Sequence, residues 1–318
     1  MLRYRLIFGT LMIAAAVGFF YLDDRLDDVR LSGWMSDLMV GRDYPPSGLI
    51  LLAMVLGVIV LAGRELSTLF RAKGVEVSGR TLSAAGMVGV LAVYAIPFRL
   101  DSQATLAIYT SCLVGVFVLA LLVYAKRHRP EGALTAASAA VMALIYLGTL
   151  PGFLLAIRRW HSAWVVVGII LVIKASDIGA YFAGRALGRH KMIPWLSPGK
   201  TWEGLAGGVL LSAAVAVGLV AVSNEMGVSG RFVYGEDLAS RHFAASDYPL
   251  WLAAIAGAVL ALAGVLGDLT VSLFKRDAGI KDSGRSIPGF GGVLDVIDSL
   301  VLAAPVAYWM VRALHAIG

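Results

Sequence analysis

The sequence has few charged residues for its length. Asp, Glu, Lys and Arg make up 15% of the 318 residues, against about 25% in an ordinary soluble domain. Hydrophobic residues make up 59%, and the mean hydropathy is +0.81. A soluble protein of this length could not cover its surface with so few charges, so we expect the apolar excess to face lipid. Intrinsic disorder is excluded as well, because disordered chains are poor in apolar residues.

Cysteine and several catalytic motifs are also scarce or missing. Cys112 is the only cysteine, which excludes an intrachain disulfide framework and a metal centre built from cysteines alone. The sequence contains neither HExxH nor GxSxG, so nothing indicates metalloprotease or serine-hydrolase chemistry. Strand-like alternation and internal repeats are absent too. The histidines are scattered, and we expect each of them in a loop: His128, His161, His190, His242 and His315.

Long apolar stretches predict an all-α fold, a polytopic transmembrane helix bundle with about nine transmembrane helices. A helix needs roughly 20 apolar residues to cross the hydrocarbon core. Runs such as 49–61 are apolar on every side, which suits helices embedded in lipid. The expected spans are 4–22, 47–63, 82–98, 104–125, 133–156, 162–184, 205–222, 250–274 and 292–316.

The distribution of Lys and Arg predicts the orientation. Basic residues concentrate in four alternate loops, which the positive-inside rule places in the cytoplasm together with the N-terminus. These loops are 64–81, 126–132, 185–204 and 275–291. The odd number of helices then places the C-terminus outside. Arg158 and Arg159 break the pattern on the outer side, and a helix miscount near 150–165 would be the simplest explanation.

The first apolar stretch is expected to be an uncleaved helix. Arg3 and Arg5 precede it, as in a signal peptide, but the acidic segment 23–28 follows in place of a small-residue cleavage site. The net charge of +6 and the pI near 9.5 do not indicate nucleic-acid binding, because no basic patch interleaved with aromatic residues is present.

Four carboxylates interrupt otherwise apolar helices near their predicted cytoplasmic ends. They are Asp177, Asp268, Asp295 and Asp298. Ionisable side chains inside membrane helices are costly and require a reason. Spacings of three and four residues place Asp268, Ser272 and Lys275 on one helix face. We expect the carboxylates to share one site at the inner membrane surface; the alternative is a set of buried ion pairs that hold helices together.

Carboxylates brought close together repel unless a cation lies between them. Hard oxygen ligands suit Mg²⁺, which binds one or two carboxylates, waters and substrate phosphates. Nearby Lys200, Lys275, Arg276 and Lys281 would neutralise further phosphate oxygens. This combination indicates phosphoryl or nucleotidyl transfer.

The segment 197–204, with the sequence SPGKTWEG, contains Gly-Lys-Thr but is not a P-loop. That motif requires a glycine where Pro194 stands, and a strand before it. We interpret the segment as a turn at a helix N-terminus, where free N–H groups can bind an anion. An ordinary cytoplasmic turn is the alternative.

Two segments together resemble the phosphatidate cytidylyltransferases, also called CDP-diacylglycerol synthases. One is Ser272-x-x-Lys275-Arg276-x4-Lys281-Asp282-x5-Pro288-x-Phe290-Gly291-Gly292-x-x-Asp295-Val296-x-Asp298. The other is Ser176-Asp177-x-Gly179-Ala180-Tyr181-x-x-Gly184, followed by 197–204. The resemblance covers residues 170–305. Two positions depart from the family, which has His where Phe290 stands and Arg where Val296 stands; the exchange removes two phosphate contacts or a proton carrier.

The resemblance implies the reaction of CTP and phosphatidate to CDP-diacylglycerol and pyrophosphate, with Mg²⁺ and room for a second cation. Asp268 and Asp295 would bind the metal. The catalytic group would comprise Lys275, Arg276 and Lys281 on the phosphates, with Asp282 and Asp298 orienting them or the metal's waters. The substrate-binding group would comprise Asp177, Ser197, Lys200, Thr201, Glu203 and Ser272. We divide the chain into N-terminal scaffold helices, 1–160, and a C-terminal catalytic region, 161–318.

Two other functions are weighed against this one. An ion-coupled transporter would place its charges near the membrane midplane and consist of two related halves. A member of the family acting on another lipid phosphate, or serving as a scaffold, is favoured only by Phe290 and Val296. The expected partners are CTP, phosphatidate, membrane lipids and a second copy in a homodimer, and the expected location is the bacterial inner membrane.

Overall fold

The computed structural model describes residues 2–38, 43–95, 101–125, 132–225, 249–284, 286–287 and 291–317. These residues are almost entirely helical. The helices are α1 (Leu2–Leu26), α2 (Trp34–Leu38), α3 (Leu49–Ala72), α4 (Gly79–Ala95), α5 (Ser102–Ala125), α6 (Ala133–Ala143), α7 (Leu150–Arg158), α8 (Ala163–Leu187), α9 (Trp202–Glu225), α10 (Leu250–Asp277) and α11 (Val293–Ile317). A π-helical turn, Leu144–Thr149, joins α6 to α7 without a break.

Seven helical segments within the described ranges are long and apolar enough to cross a membrane: α3, α5, the continuous α6–α7 segment, α8, α9, α10 and α11. The shorter α4 is apolar as well. This confirms the all-α polytopic fold, and the chain is a helical integral membrane protein. The count of nine transmembrane helices stays a prediction.

Several helices extend beyond the apolar stretches that predicted them. α3 continues past residue 63 to Ala72, so Arg64 and Arg71 lie in a helix and the prediction of a loop there is wrong. Lys275 and Arg276 likewise lie in the last turn of α10. Hydropathy falls where charges begin, but backbone hydrogen bonding continues until a residue such as Gly74, with a φ of 77°, ends the helix.

The number of helices predicted near 150–165 is correct, so a miscount does not explain the two arginines there, and that explanation is wrong. α7 ends at Arg158 and α8 begins at Ala163, with one tight connection between them. Arg158 is fully buried, with Nε 2.6 Å from Asp23 Oδ2 and a terminal nitrogen 2.8 Å from Asp27 Oδ2. Arg158 breaks the positive-inside pattern because it is an internal partner of two carboxylates and not a loop charge.

Glycines allow the helices of the C-terminal region to pack with their backbones in close contact. A Cβ added at Gly179 of α8 would lie 2.6 Å from the Gly207 carbonyl of α9, and one at Gly257 of α10 would lie 2.6 Å from the Ser212 carbonyl. A Cβ at Gly267 of α10 would overlap the Asp298 carbonyl of α11. Small residues at such crossings are typical of membrane helices. They bring the ends of α8, α9, α10 and α11 together.

The predicted loop 185–204 is shorter in the structure, because α8 continues to Leu187 and α9 begins at Trp202. The connection between them contains two short antiparallel strands that the sequence did not indicate. β1 (Lys191–Ile193) pairs with β2 (Ser197–Thr201), with Lys191 opposite Thr201 and Ile193 opposite Ser197. An isolated hairpin is marginally stable. The Arg276 side chain of α10 stabilises this one by donating to the Leu196 carbonyl at 3.3 Å.

The loops predicted to be cytoplasmic lie at one end of the bundle where the structure describes them. An ion pair of 2.9 Å between Lys73 and Asp277 joins the ends of α3 and α10, and the hairpin also contacts α10 at this end. The basic residues at 126–129 lie outside the described residues. This end contains the carboxylates that the sequence singled out.

Candidate functional site

Asp268 faces the β-hairpin from the last third of α10. Its Oδ2 lies 2.8 Å from Lys200 Nζ of β2, and the two side chains are 38% and 20% exposed. Lys200 also donates to the Val265 carbonyl at 3.4 Å. The Ser272 hydroxyl, one helical turn from Asp268, lies 3.5 Å from its Oδ1. The structure therefore brings together Asp268, Lys200 and Ser272, and their binding of a metal or substrate stays a prediction.

Asp295 lies in the first turn of α11 and pairs with Lys275 of α10. Its Oδ1 is 2.6 Å from Lys275 Nζ, and both side chains are 19% exposed. The other oxygen, Oδ2, accepts from the Ser283 hydroxyl at 3.0 Å and from the Gly292 amide at 3.4 Å. Each of the two predicted metal ligands thus has a lysine on one oxygen and a hydroxyl near the other.

A second polar cluster joins α8 to α11. Lys174 donates to Asp177 Oδ2 at 3.1 Å, to the Ser299 hydroxyl at 2.8 Å and to the Val296 carbonyl at 3.2 Å. Asp298 is buried beside this cluster and accepts from the Ser299 amide at 2.6 Å. Lys174 was not among the predicted site residues, although it lies three residues before Asp177 and therefore on the same helix face.

Glu203 and Thr201, two residues of the predicted substrate-binding group, are hydrogen-bonded to neighbouring residues of the chain. Glu203, in the first turn of α9, accepts from the amides of Arg189 and His190 at 3.2 Å, and its Oε1 lies 2.6 Å from the His190 ring. The buried Thr201 hydroxyl accepts from the Gly204 amide at 3.1 Å, which caps the start of α9. Their contact with a nucleotide stays a prediction.

The other predicted site residues that the structure describes lie in the hairpin, at the end of α10 and in the connection to α11. Ser197 is half-buried in β2, and Lys281 and Asp282 are exposed in the connection between α10 and α11. The Arg276 side chain donates a hydrogen bond to the Leu196 carbonyl. Phe290 lies outside the described residues, as do His128 and His242. His161 and His190 lie in connections as expected, whereas His315 lies in α11 and the prediction of a loop there is wrong.

Glu65 of α3 is a buried carboxylate that the sequence analysis missed. It is 4% exposed, and its oxygens accept from the amides of Val293 and Leu294 at 2.8 and 2.9 Å. Its local sequence looks like the charged end of an apolar helix, and nothing local shows that its partners lie 228 and 229 residues away.

Tyr146 is a second residue that the sequence analysis missed. It lies in the π-helical turn, and turns of this kind are frequent at functional sites. Its hydroxyl is buried without a hydrogen-bond partner among the described residues, and it lies within electrostatic range of Asp298 and Asp268. A buried polar atom without a partner requires an explanation. The Tyr146 ring packs against Phe274 of α10 at 5.3 Å between ring centroids, on the helix that also carries Asp268 and Lys275.

Mg²⁺ requires hard oxygen ligands in an octahedral arrangement. In the part of the chain that the structure describes, no group of three or more His, Cys, Asp or Glu side chains could hold a metal ion. The available donors near Asp268 and Asp295 are carboxylates and hydroxyls, which are hard ligands. Mg²⁺ usually takes one or two carboxylates and completes its shell with water and substrate phosphate. The residues fit that mode of binding, and they do not form an all-protein cage.

The chain matches one family along most of its length. The family model described as "Cytidylyltransferase family" matches residues 38–314. A phosphatidate cytidylyltransferase of Synechocystis sp. is 30% identical over 285 residues, which cover 80% of this chain and 85% of the relative. A phosphatidate cytidylyltransferase of Haemophilus influenzae is 40% identical over 146 residues, covering 46% of this chain and 45% of the relative.

A third relative, the phosphatidate cytidylyltransferase of Pseudomonas aeruginosa, is 35% identical over 164 residues, covering 51% of this chain and 53% of the relative. The chain therefore spans about half the length of the Haemophilus and Pseudomonas relatives that it matches. The region matched by the family model includes Asp268 of α10 and Asp295 of α11. The chain belongs to the cytidylyltransferase family.

Proposed function

We propose that the chain transfers the cytidylyl group of CTP to phosphatidate, giving CDP-diacylglycerol and pyrophosphate. The observation that supports this most strongly is the pairing of Asp268 of α10 with Lys200 of the hairpin, and of Asp295 of α11 with Lys275 of α10. Two carboxylates and two lysines in this arrangement suit a substrate with several phosphate groups. All four residues lie within the region matched by the family model.

The reaction requires no protein nucleophile. An oxygen of the phosphatidate phosphate attacks the α-phosphorus of CTP, and the bond from that phosphorus to the oxygen bridging to the β-phosphate breaks. Pyrophosphate leaves with the electron pair of that bond. Because the lipid phosphate is already an anion, the protein has to position two anionic substrates and neutralise the charge on them.

Asp268 and Asp295 would hold Mg²⁺, which supplies Lewis-acid stabilisation of phosphate charge when bound. In this proposal Lys200 and Lys275 then exchange their carboxylate partners for phosphate oxygens. Lys281 and Arg276 add positive charge toward the leaving pyrophosphate, and the Ser272 hydroxyl donates a hydrogen bond to substrate. The remaining predicted residues, Asp177, Ser197, Thr201, Glu203, Asp282 and Asp298, orient these groups or line the nucleotide side.

Pyrophosphate release by the purified protein tests the substrate pair. With CTP and Mg²⁺ present, we expect release to depend on phosphatidate and to be absent with diacylglycerol, which lacks the nucleophilic phosphate. Release with another lipid phosphate but not with phosphatidate would contradict the proposed acceptor and favour an altered family member.

The unpartnered hydroxyl of Tyr146 gives a further prediction. Removing a buried hydroxyl that has no partner among the described residues should not lower stability. We expect Tyr146→Phe to keep the wild-type melting temperature and to lose about fivefold to tenfold in kcat/KM, as for one lost hydrogen bond to a substrate phosphate. The control is Tyr109→Phe, which removes a hydroxyl bonded to Thr149 at 2.7 Å and should lower stability. Wild-type kcat/KM in Tyr146→Phe would exclude a substrate contact.

We also propose that this end of the bundle faces the cytoplasm of a bacterial inner membrane, because CTP is cytosolic and the loops here are basic. In a Cys112→Ser background, a cysteine at the exposed Arg189 should resist an impermeant thiol reagent added to intact cells. Trp34 is 72% exposed and lies between α1 and α3, at the opposite end of the bundle. A cysteine at this position should react. Labelling at 189 from outside would contradict the orientation. Dimerisation of the chain stays a prediction.

A further inference from the structure

Glu65 connects the N-terminal helices to the loop that carries the family signature. Its Oε1 accepts from the Val293 amide at 2.8 Å and from the Ser286 hydroxyl at 2.5 Å. Its Oε2 accepts from the Leu294 amide at 2.9 Å and lies 3.3 Å from the Ser283 hydroxyl. One carboxylate on α3 thus contacts both the start of α11 and the connection that precedes it.

Burial of this carboxylate is costly unless it is compensated. A buried carboxylate requires hydrogen bonds to replace its lost hydration, and the first amides of a helix lack partners within the helix. Glu65 supplies the acceptors for the first two amides of α11, and its negative charge is favourable at a helix N-terminus. The contacts are mutual, so the carboxylate and the helix start stabilise each other.

Gly284 and Gly292 lie so close to the Glu65 carboxylate that neither position has room for a side chain. A Cβ added at Gly284 would lie 2.7 Å from Glu65 Oε1, and one at Gly292 would overlap the Ser283 hydroxyl and lie 2.5 Å from Glu65 Oε2. The backbone of the connection therefore packs directly on the carboxylate. A substitution at either glycine would displace Glu65 or the connection.

Ser283 extends these contacts to the candidate site. Its Oγ lies 3.3 Å from Glu65 Oε2 and 3.0 Å from Asp295 Oδ2. A hydroxyl has one proton, so Ser283 donates to one carboxylate at a time. Glu65 accepts from the amide of Val293, the first residue of α11. Asp295 lies two residues further along this helix. Movement of Glu65 would therefore change both the helix start and the hydroxyl that orient Asp295.

We propose that Glu65 is a positioning residue for the transfer reaction. Through Ser283 and the first amides of α11, it holds Asp295 in the orientation in which it pairs with Lys275. This role rests on the proposed function, because the step that it serves is cytidylyl transfer. A purely structural role would lower the amount of folded protein but leave the turnover of each folded molecule unchanged.

The test compares four variants of the full-length chain: Glu65→Gln, Ser283→Ala, the double variant and Asp24→Asn. Asp24 is the matched control because its Oδ1 accepts from the Ala163 amide at 3.0 Å and the Ser162 hydroxyl at 2.8 Å, at the start of α8 and away from the site. The measurements are kcat and the KM for CTP, normalised to monodisperse protein, with melting temperatures alongside. Hydrogen exchange over residues 283–295, measured without metal, reports the loop directly.

We expect Glu65→Gln and Ser283→Ala each to lower kcat by about tenfold with the KM for CTP within about twofold, because the phosphate-binding lysines are unchanged. The double variant should lose no more than the more severe single variant, as for residues that act on one carboxylate. Asp24→Asn should lower the melting temperature and keep the wild-type kcat. The Val293 and Leu294 amides should exchange faster in Glu65→Gln.

Wild-type kcat in folded Glu65→Gln, or losses that multiply in the double variant, would overturn the proposal. If Glu65→Gln does not fold, Ser283→Ala decides, and a wild-type kcat there would overturn it equally. A wild-type protein that forms no CDP-diacylglycerol would refute the proposed function instead. In that case unchanged exchange at Val293 and Leu294 in Glu65→Gln would separately refute the role of Glu65 in ordering the start of α11.

Discussion

Replacement of Asp268 or Asp295 by Asn should lower kcat for CDP-diacylglycerol formation by on the order of 10²-fold or more, as for loss of one electrostatic stabiliser in an active site. Each substitution removes a charged oxygen ligand and also leaves a lysine, Lys200 or Lys275, without its carboxylate. An amide keeps the shape of the side chain, so the protein should still fold. Turnover of labelled CTP at saturating Mg²⁺ measures the loss.

The control for these variants is Asp277→Asn. Asp277 lies at the same end of α10 and pairs with Lys73, but the two side chains are 65% and 48% exposed. Exposed pairs contribute little, so this variant should keep wild-type activity. Near-normal turnover in both Asp268→Asn and Asp295→Asn would refute the assignment of these carboxylates to a metal.

Replacement of Arg158 by Gln should lower the free energy of unfolding by about 3–5 kcal/mol, as when one member of a buried ion pair is removed. This is the largest stability change that we expect among the variants proposed for this chain. The guanidinium is fully buried and pairs with Asp23 and Asp27. Burial already raises the pKa of the Asp27 carboxyl, and the Arg158 charge opposes that shift. Without Arg158 the two carboxylates would remain buried without the cation that balances their charge, although Asp23 Oδ1 would still accept from the Ile50 and Leu51 amides. The melting temperature of the purified protein measures the effect.

Two further variants separate this cause from a general loss of packing. Arg312→Gln changes an exposed arginine of α11 that donates to the Tyr308 hydroxyl at 3.4 Å, and it should leave the melting temperature unchanged. The double variant Arg158→Gln with Asp27→Asn should recover part of the loss, because it removes one uncompensated charge. A double variant less stable than Arg158→Gln alone would contradict this explanation.

The helices and the main carboxylates could be predicted from the sequence because both depend on local patterns. Apolar runs long enough to cross a membrane are continuous in the chain, and Asp268, Asp295 and Asp298 interrupt them visibly. The spacing of Asp268, Ser272 and Lys275 placed them on one face, and the structure brings each of these residues to the site. The resemblance to the family added the reaction, which spacing alone did not specify.

Glu65, Tyr146 and Arg158 could not be predicted because their roles depend on contacts between distant segments. Arg158 lies 135 residues from Asp23 along the chain, and the charge pattern alone made it look like a loop residue. Tyr146 depends on a π-helical turn that no periodicity signals. The division of the chain at residue 160 stays a prediction, although Glu65, on its N-terminal side, contacts the start of α11, the helix that carries Asp295.

The most direct measurement of the central claim follows the label of CTP in the purified protein with phosphatidate and Mg²⁺. Attack at the α-phosphorus predicts that label at the α-phosphate appears in a lipid and that label at the γ-phosphate appears in pyrophosphate. The transfer should be lost in Asp295→Asn and retained in Asp277→Asn. Label from the γ-phosphate in the lipid, or no labelled lipid from folded wild-type protein, would contradict cytidylyl transfer at this site.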